Sequence, residues 1–174
     1  MQTDPRKIAI VGPESTGKTT LAQQLAEKLH TVWVPEYARE YLEQLERPYE
    51  RKDLIDMAKG QLALERNLLS KAQKYLICDT NFLVIKIWSE FKYGTLDPLL
   101  EELSNLNSFD LHFLTYIDLP WTFDPQRENP DLEDRARLFE LYEAQLKQGR
   151  HSYHVLKGNQ EDRLQAAMDI LEEI

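Results

Sequence analysis

A single cysteine, Cys78, leaves this chain without any possible internal disulfide. It sits in Tyr75-Leu76-Ile77-Cys78, an apolar run that reads as a buried strand, where a thiol serves as inert packing. Glycine and proline are scarce, at 6 and 8 of 174 residues, while apolar residues make up 42%. That balance excludes disordered, collagen-like and mucin-like chains and fits one domain spanning residues 1–174. No stretch approaches the roughly 20 apolar residues of a membrane span. The apolar stretch before Gly12 is too short for a signal-peptide core, so a cytoplasmic location with no membrane partner is expected. Positive charge is also in deficit: 21 Lys and Arg face 30 Asp and Glu, a net charge of −9. The basic residues are scattered, and a phosphate backbone demands clustered ones, so no nucleic-acid partner is expected. His30, His112, His151 and His154 show no metal-ligand spacing, and none lies near a candidate serine nucleophile.

What the chain does have is Gly12-Pro13-Glu14-Ser15-Thr16-Gly17-Lys18-Thr19, directly after the apolar run Ile8-Ala9-Ile10-Val11. This is the phosphate-loop pattern G-x-x-x-x-G-K-[ST] between a strand and a helix. Its backbone N–H groups and the positive end of the following helix suit polyphosphate oxygens. Gly12, Glu14, Ser15, Thr16, Gly17, Lys18, Thr19 and Thr20 are therefore candidate nucleotide contacts. Lys18 would reach the β- and γ-phosphates, and the Thr19 hydroxyl would coordinate Mg²⁺. ATP or GTP is the implied ligand, and the absence of an Asn-Lys-x-Asp run argues against a GTPase.

Strands alternate with helical patterns along the whole chain, which predicts an α/β fold: a five-stranded parallel sheet covered on both faces. The expected strands are Lys7–Val11, Val32–Val34, Leu76–Cys78, Leu111–Ile117 and Tyr153–Leu156. Helices are expected at Lys18–Leu29, Glu36–Leu45, Asp53–Lys74 (interrupted by Gly60), Phe82–Phe91, Asp97–Leu106, Leu132–Gln148 and Glu161–Glu173. Gly149 stands where a left-handed C′ glycine would end the sixth helix.

Ligands of open α/β sheets bind beyond the carboxyl ends of the strands, so the polar groups there are candidates. Glu36 and Arg39 are three apart at a helix start. Glu36 suits the binding or deprotonation of a substrate hydroxyl, and Arg39 the stabilisation of a transferring phosphoryl group; a dipole-favoured Glu and a surface ion pair would give the same pattern. Tyr37 is a candidate for ligand contact, and packing accounts for it equally. Asp79 ends the third strand, where a carboxylate can hold Mg²⁺, and Asn81 beside it is a candidate substrate contact; Asp79, Thr80 and Asn81 would equally suit a helix cap. After the fourth strand come Trp121, able to stack on a flat ligand, and Arg127, Arg135 and Arg137. The segment 121–137 is a candidate lid that closes over nucleotide and shuts out water.

Taken together, the phosphate loop, Glu36-Tyr37-Ala38-Arg39-Glu40-Tyr41, Asp79-Thr80-Asn81-Phe82, and Pro120-Trp121 with Asp124 and Arg127 resemble the ribosylnicotinamide kinase domain of NadR-type proteins. The resemblance covers nearly the whole chain. It implies a three-layer, nucleoside-kinase-like P-loop NTPase fold, and transfer of the ATP γ-phosphate to the 5′-hydroxyl of nicotinamide riboside for NAD salvage. It also implies a kinase standing alone, without the adenylyltransferase and DNA-binding parts of longer relatives. Asn81 replaces a second Asp of the family pattern, and Pro35 replaces an aromatic. Two other readings share these features: a kinase of deoxynucleosides or other small metabolites, and a regulatory sensor that binds ATP and hydrolyses it slowly.

Overall fold

The computed structural model describes residues 4–174. Five parallel strands form one sheet: β1 (Arg6–Val11), β2 (Trp33–Val34), β3 (Tyr75–Asp79), β4 (Leu111–Thr115) and β5 (Tyr153–Leu156). Their order is β2-β3-β1-β4-β5, so β1 is central. Register is fixed by pairs such as Ile10 with Asp79 on one side and Ile10 with Phe113 on the other. Seven helices connect them: α1 (Lys18–Lys28), α2 (Tyr37–Gln44), α3 (Asp53–Leu69), α4 (Phe82–Tyr93), α5 (Pro98–Asn105), α6 (Leu132–Gln148) and α7 (Gln160–Glu172).

Alternation along β1 sorts its side chains onto two faces, as the pleat requires. Ile8 and Ile10 pack with Leu21, Leu25, Ala167 and Leu171 of α1 and α7. Ala9 and Val11 pack with Val84, Ile87, Leu138 and Tyr142 of α4 and α6. A further layer joins α2, α3, α4 and α5 through Ala38, Leu54, Met57, Ile85 and Leu100. Both sheet faces are thus covered, as parallel sheets demand.

Several boundaries differ from the sequence pattern. Helix α3 stops at Leu69 rather than Lys74. Gly60 does not break it; the Tyr37 ring occupies the space that a Cβ at Gly60 would need. Gly149 is not the left-handed residue, since its φ is −75°. Arg150 takes that role at φ 53°, with His151 N donating to Leu146 O at 3.0 Å and Arg150 N to Lys147 O at 3.1 Å. These two bonds make a Schellman ending in which arginine pays the left-handed strain that glycine would avoid.

Candidate active site

The crevice opens where β1 meets β3 on one side and β4 on the other, the point at which the strand order reverses. The phosphate loop leaves β1 there. Gly12 has φ 140°, and a Cβ on it would lie 2.6 Å from Thr115 Oγ1. Gly17, at φ 75°, opens α1 in the left-handed region. Thr16 is buried and anchors the loop, donating to Pro13 O at 2.7 Å and sharing a 2.7 Å hydrogen bond with Thr115.

Gly12, Glu14, Ser15, Thr16, Gly17, Lys18, Thr19 and Thr20 line a cleft of about 130 Å³, and Glu36, Arg39 and Arg127 line it with them. The Lys18 ammonium donates to Pro13 O at 2.8 Å. Burial lowers its pKa, against the attraction of Glu36, Asp79 and Glu14. Glu36 precedes α2, and its carboxyl is pushed up to about 7, first by burial and then by the negative charge of Asp79. Burial likewise raises Asp79. This carboxylate opens onto an adjoining hollow shared with Thr19, Glu36 and Arg39.

Thr19 Oγ1 donates to Asp79 Oδ2 at 2.5 Å, while Asp79 Oδ1 is buried with no hydrogen-bond partner. A hydroxyl beside an orphaned carboxylate oxygen is an all-oxygen donor set that suits a hard cation such as Mg²⁺. Among the described residues no cluster of three or more His, Cys, Asp or Glu could hold a metal.

The segment after β4 lies across the loop. Thr122 N donates to Ser15 Oγ at 2.9 Å, Glu128 N to Glu14 Oε2 at 3.1 Å, and Asn129 N also to Glu14. Arg127 donates to Ser15 Oγ at 3.3 Å and to Thr122 O. Arg39, in the cleft lining, is paired with Asp124 at 3.0 Å. Arg135 is buried and donates to Ser15 O at 3.3 Å, so it supports the loop from behind. Arg137 is exposed, faces Asp134 at 3.9 Å and lies outside the cleft.

Three residues read as substrate contacts do not line the cleft. Asn81 caps α4 by accepting from Leu83 N at 3.0 Å, and its Nδ2 faces His112 Nε2 at 3.1 Å, so both ends of the amide are occupied. Tyr37 seats its ring on Gly60. Trp121 packs edge-on against Phe123, with ring centroids 6.4 Å apart. Other residues do line the site: Val84, Trp88, Gln126 and Tyr142. Trp88, Glu14 and Gln126 also border a second chamber of about 160 Å³, walled by Tyr49, Phe91 and Leu138, with Lys92 and Glu128 at its rim. Val84, Trp88 and Phe91 recur at helical spacing and read in sequence as an ordinary core stripe.

The central strand β1, the phosphate loop that follows it and this cleft define a P-loop protein. The chain belongs to the AAA-domain family, whose model matches residues 7–163. It is 27% identical over 174 residues to the trifunctional NAD biosynthesis/regulator protein NadR of Salmonella typhimurium, a match covering 97% of this chain and 42% of that protein. The chain thus spans less than half the length of this curated relative. A crystal structure of NadR in complex with NR superposes with a TM-score of 0.79 at 22% identity, over 97% of this chain and 50% of the other. Thymidylate kinase from Ehrlichia chaffeensis shares the fold, with a TM-score of 0.73 at 19% identity over 98% of this chain and all of the other. The resemblance to NadR-type kinase domains read from the motifs is borne out along almost the full chain. Among the described residues no helix is long and apolar enough to cross a membrane.

Proposed function

We propose that this protein is a kinase that transfers the γ-phosphate of ATP to the 5′-hydroxyl of nicotinamide riboside, giving nicotinamide mononucleotide. The phosphate loop would hold the donor, with Lys18 on the β/γ-phosphates. Thr19 and Asp79 would hold Mg²⁺, which would offset charge on the phosphate oxygens. Glu36 is the proton acceptor for the attacking hydroxyl. A carboxyl at about 7 is half ionised at neutral pH and is well matched to general-base work. Arg127 reaches the phosphate side of the cleft already. Arg39 lines the same cleft while paired with Asp124, which couples this residue to movement of the segment 121–137.

The observation that carries the acceptor assignment is the second chamber. Tyr49, Trp88 and Phe91 line it with aromatic rings, which suits a planar ligand, and the carboxylates of Glu14 and Glu128 outnumber the one cation, Lys92. An acceptor that already bears a phosphate would find little positive charge to receive it, so a nucleoside fits better than a nucleoside monophosphate. A pyridinium ring, being cationic, fits better still. The Lys92 ammonium lies 3.6 Å from the Tyr49 ring centroid and 2.9 Å from Glu128 Oε1, so this wall already receives a positive charge.

A coupled assay with Mg-ATP decides the matter across nicotinamide riboside, deoxyadenosine, deoxycytidine, thymidine and thymidine monophosphate. Nicotinamide riboside is expected to exceed each rival in kcat/KM by about tenfold or more, about 1.4 kcal/mol of transition-state discrimination. A deoxynucleoside or the monophosphate in first place would replace the acceptor assignment. Slow ATP hydrolysis unmoved by any acceptor would favour a sensor module.

A further inference from the structure

The chemistry above leaves the most deeply buried charge unused. Arg163 lies in the first turn of α7 and is 0% exposed. A guanidinium is seldom buried unless its donors and its charge are both met. Here Nε donates to Gly158 O at 2.9 Å and Nη2 to Tyr116 O at 2.9 Å. Nη2 also meets the Asp118 carboxylate, and Nη1 donates to the backbone carbonyl of Thr16. Asp118 closes the ring by accepting from Gly158 N at 2.6 Å. One side chain therefore ties together the phosphate loop, the exit of β4 and the turn between β5 and α7.

The bond to Thr16 has a directional consequence. In a trans peptide the C=O and the next N–H point in opposite directions. Drawing the Thr16 carbonyl back onto Arg163 turns the Gly17 N–H the other way, and Gly17 lines the cleft. Gly17 is also one of the loop's two glycines, at φ 75°, so this flexible peptide needs an external hold. The Gln160 side chain supplies part of it by packing against the Gly17 Cα from the same helix.

We propose that Arg163 is a positioning residue for the phosphate donor: it fixes the Thr16–Gly17 peptide so that its N–H faces the bound polyphosphate. The proposal rests on the reading of the cleft as a nucleotide site and is independent of which acceptor is phosphorylated. It predicts a loss on the donor side alone. A general loosening of α7 would lower stability without that selectivity.

The test is calorimetric titration of the full chain with Mg-AMP-PNP, at a temperature where every variant is folded by circular dichroism. Arg163→Met is expected to weaken binding about tenfold or more, and Arg163→Lys by less, because an ammonium keeps the Asp118 charge but not the fork geometry. In turnover, the KM for ATP should rise while the acceptor KM holds. The control is Leu171→Ala, a core truncation further along α7. It should lower the melting temperature and leave affinity within about twofold of the parent. Equal losses of affinity in Leu171→Ala, or an Arg163→Met protein within twofold of the parent, would overturn the proposal. If Arg163→Met does not fold, Arg163→Lys at parental affinity does the same. A parent that binds no AMP-PNP would remove the donor reading itself, and this proposal with it.

Discussion

Glu36→Gln should make the protein more stable at alkaline pH and nearly inactive. The parent carboxyl titrates at about 7, against an ordinary 4.5, because burial and the Asp79 charge both disfavour its ionised form. A raised carboxyl binds its proton more tightly in the folded state than in the unfolded chain. Its contribution to stability is therefore fully present below about pH 4.5 and is lost as pH rises through about 7. A displacement of this size corresponds to about 3 kcal/mol. The cleft admits solvent on one side, so about 2 kcal/mol is the working figure. Glutamine carries no charge and escapes the loss. Melting curves without nucleotide or Mg²⁺ should show Glu36→Gln level with the parent near pH 4.5 and about 4–8 °C above it near pH 8. The same substitution should cut kcat by about 10². A constant offset across pH would mean that Glu36 is an ordinary surface carboxylate. A kcat within threefold of the parent would remove it as the proton acceptor.

Lys18→Ala should keep the parent's circular dichroism spectrum and lose turnover; transfer to nicotinamide riboside within about tenfold of the parental rate would contradict the phosphate-loop reading. Asp79→Asn should lower kcat by about 10² and recover in part as Mg²⁺ is raised, whereas Glu36→Gln should not; the opposite pattern in a metal titration would exchange their roles. Trp88→Ala should raise the acceptor KM by about tenfold with little change in the KM for ATP, and equal changes in both would place the acceptor elsewhere. In hydrogen exchange, amides from Phe123 to Asp134 should gain protection on adding an ATP analogue; unchanged exchange there, with protection at Gly12 to Thr19, would make the segment 121–137 static.

The sheet was legible because each strand is a short apolar run between helical patterns, and β5 matches its expected span residue for residue. The phosphate loop was legible because one local motif carries it. Chain ends of elements were less so: the sixth helix carries a glycine at the expected position, yet Arg150 takes the strained conformation one residue later. Residues that assemble across the chain were not legible at all. Tyr49, Trp88 and Gln126 come from three separate segments, and each reads alone as loop or core. Asn81 was ambiguous for a physical reason: a strand-end Asn is equally suited to a ligand and to a helix cap, and its bond to His112, from another strand, has no local signal. Arg163 looks like any charged residue near the start of an amphipathic helix, since nothing local reveals that all its donors turn inward.

The seat of Tyr37 on Gly60 reverses a common rule of protein engineering. A glycine inside a helix is usually replaced by alanine to gain up to about 1 kcal/mol, because the unfolded chain then has less freedom to lose. At this position the added methyl would enter the Tyr37 ring and press on the first residue of α2, immediately after Glu36. A thermostabilised form of this protein would therefore have to leave Gly60 alone, and α3 keeps a weak helix former as the condition for where its neighbouring helix begins.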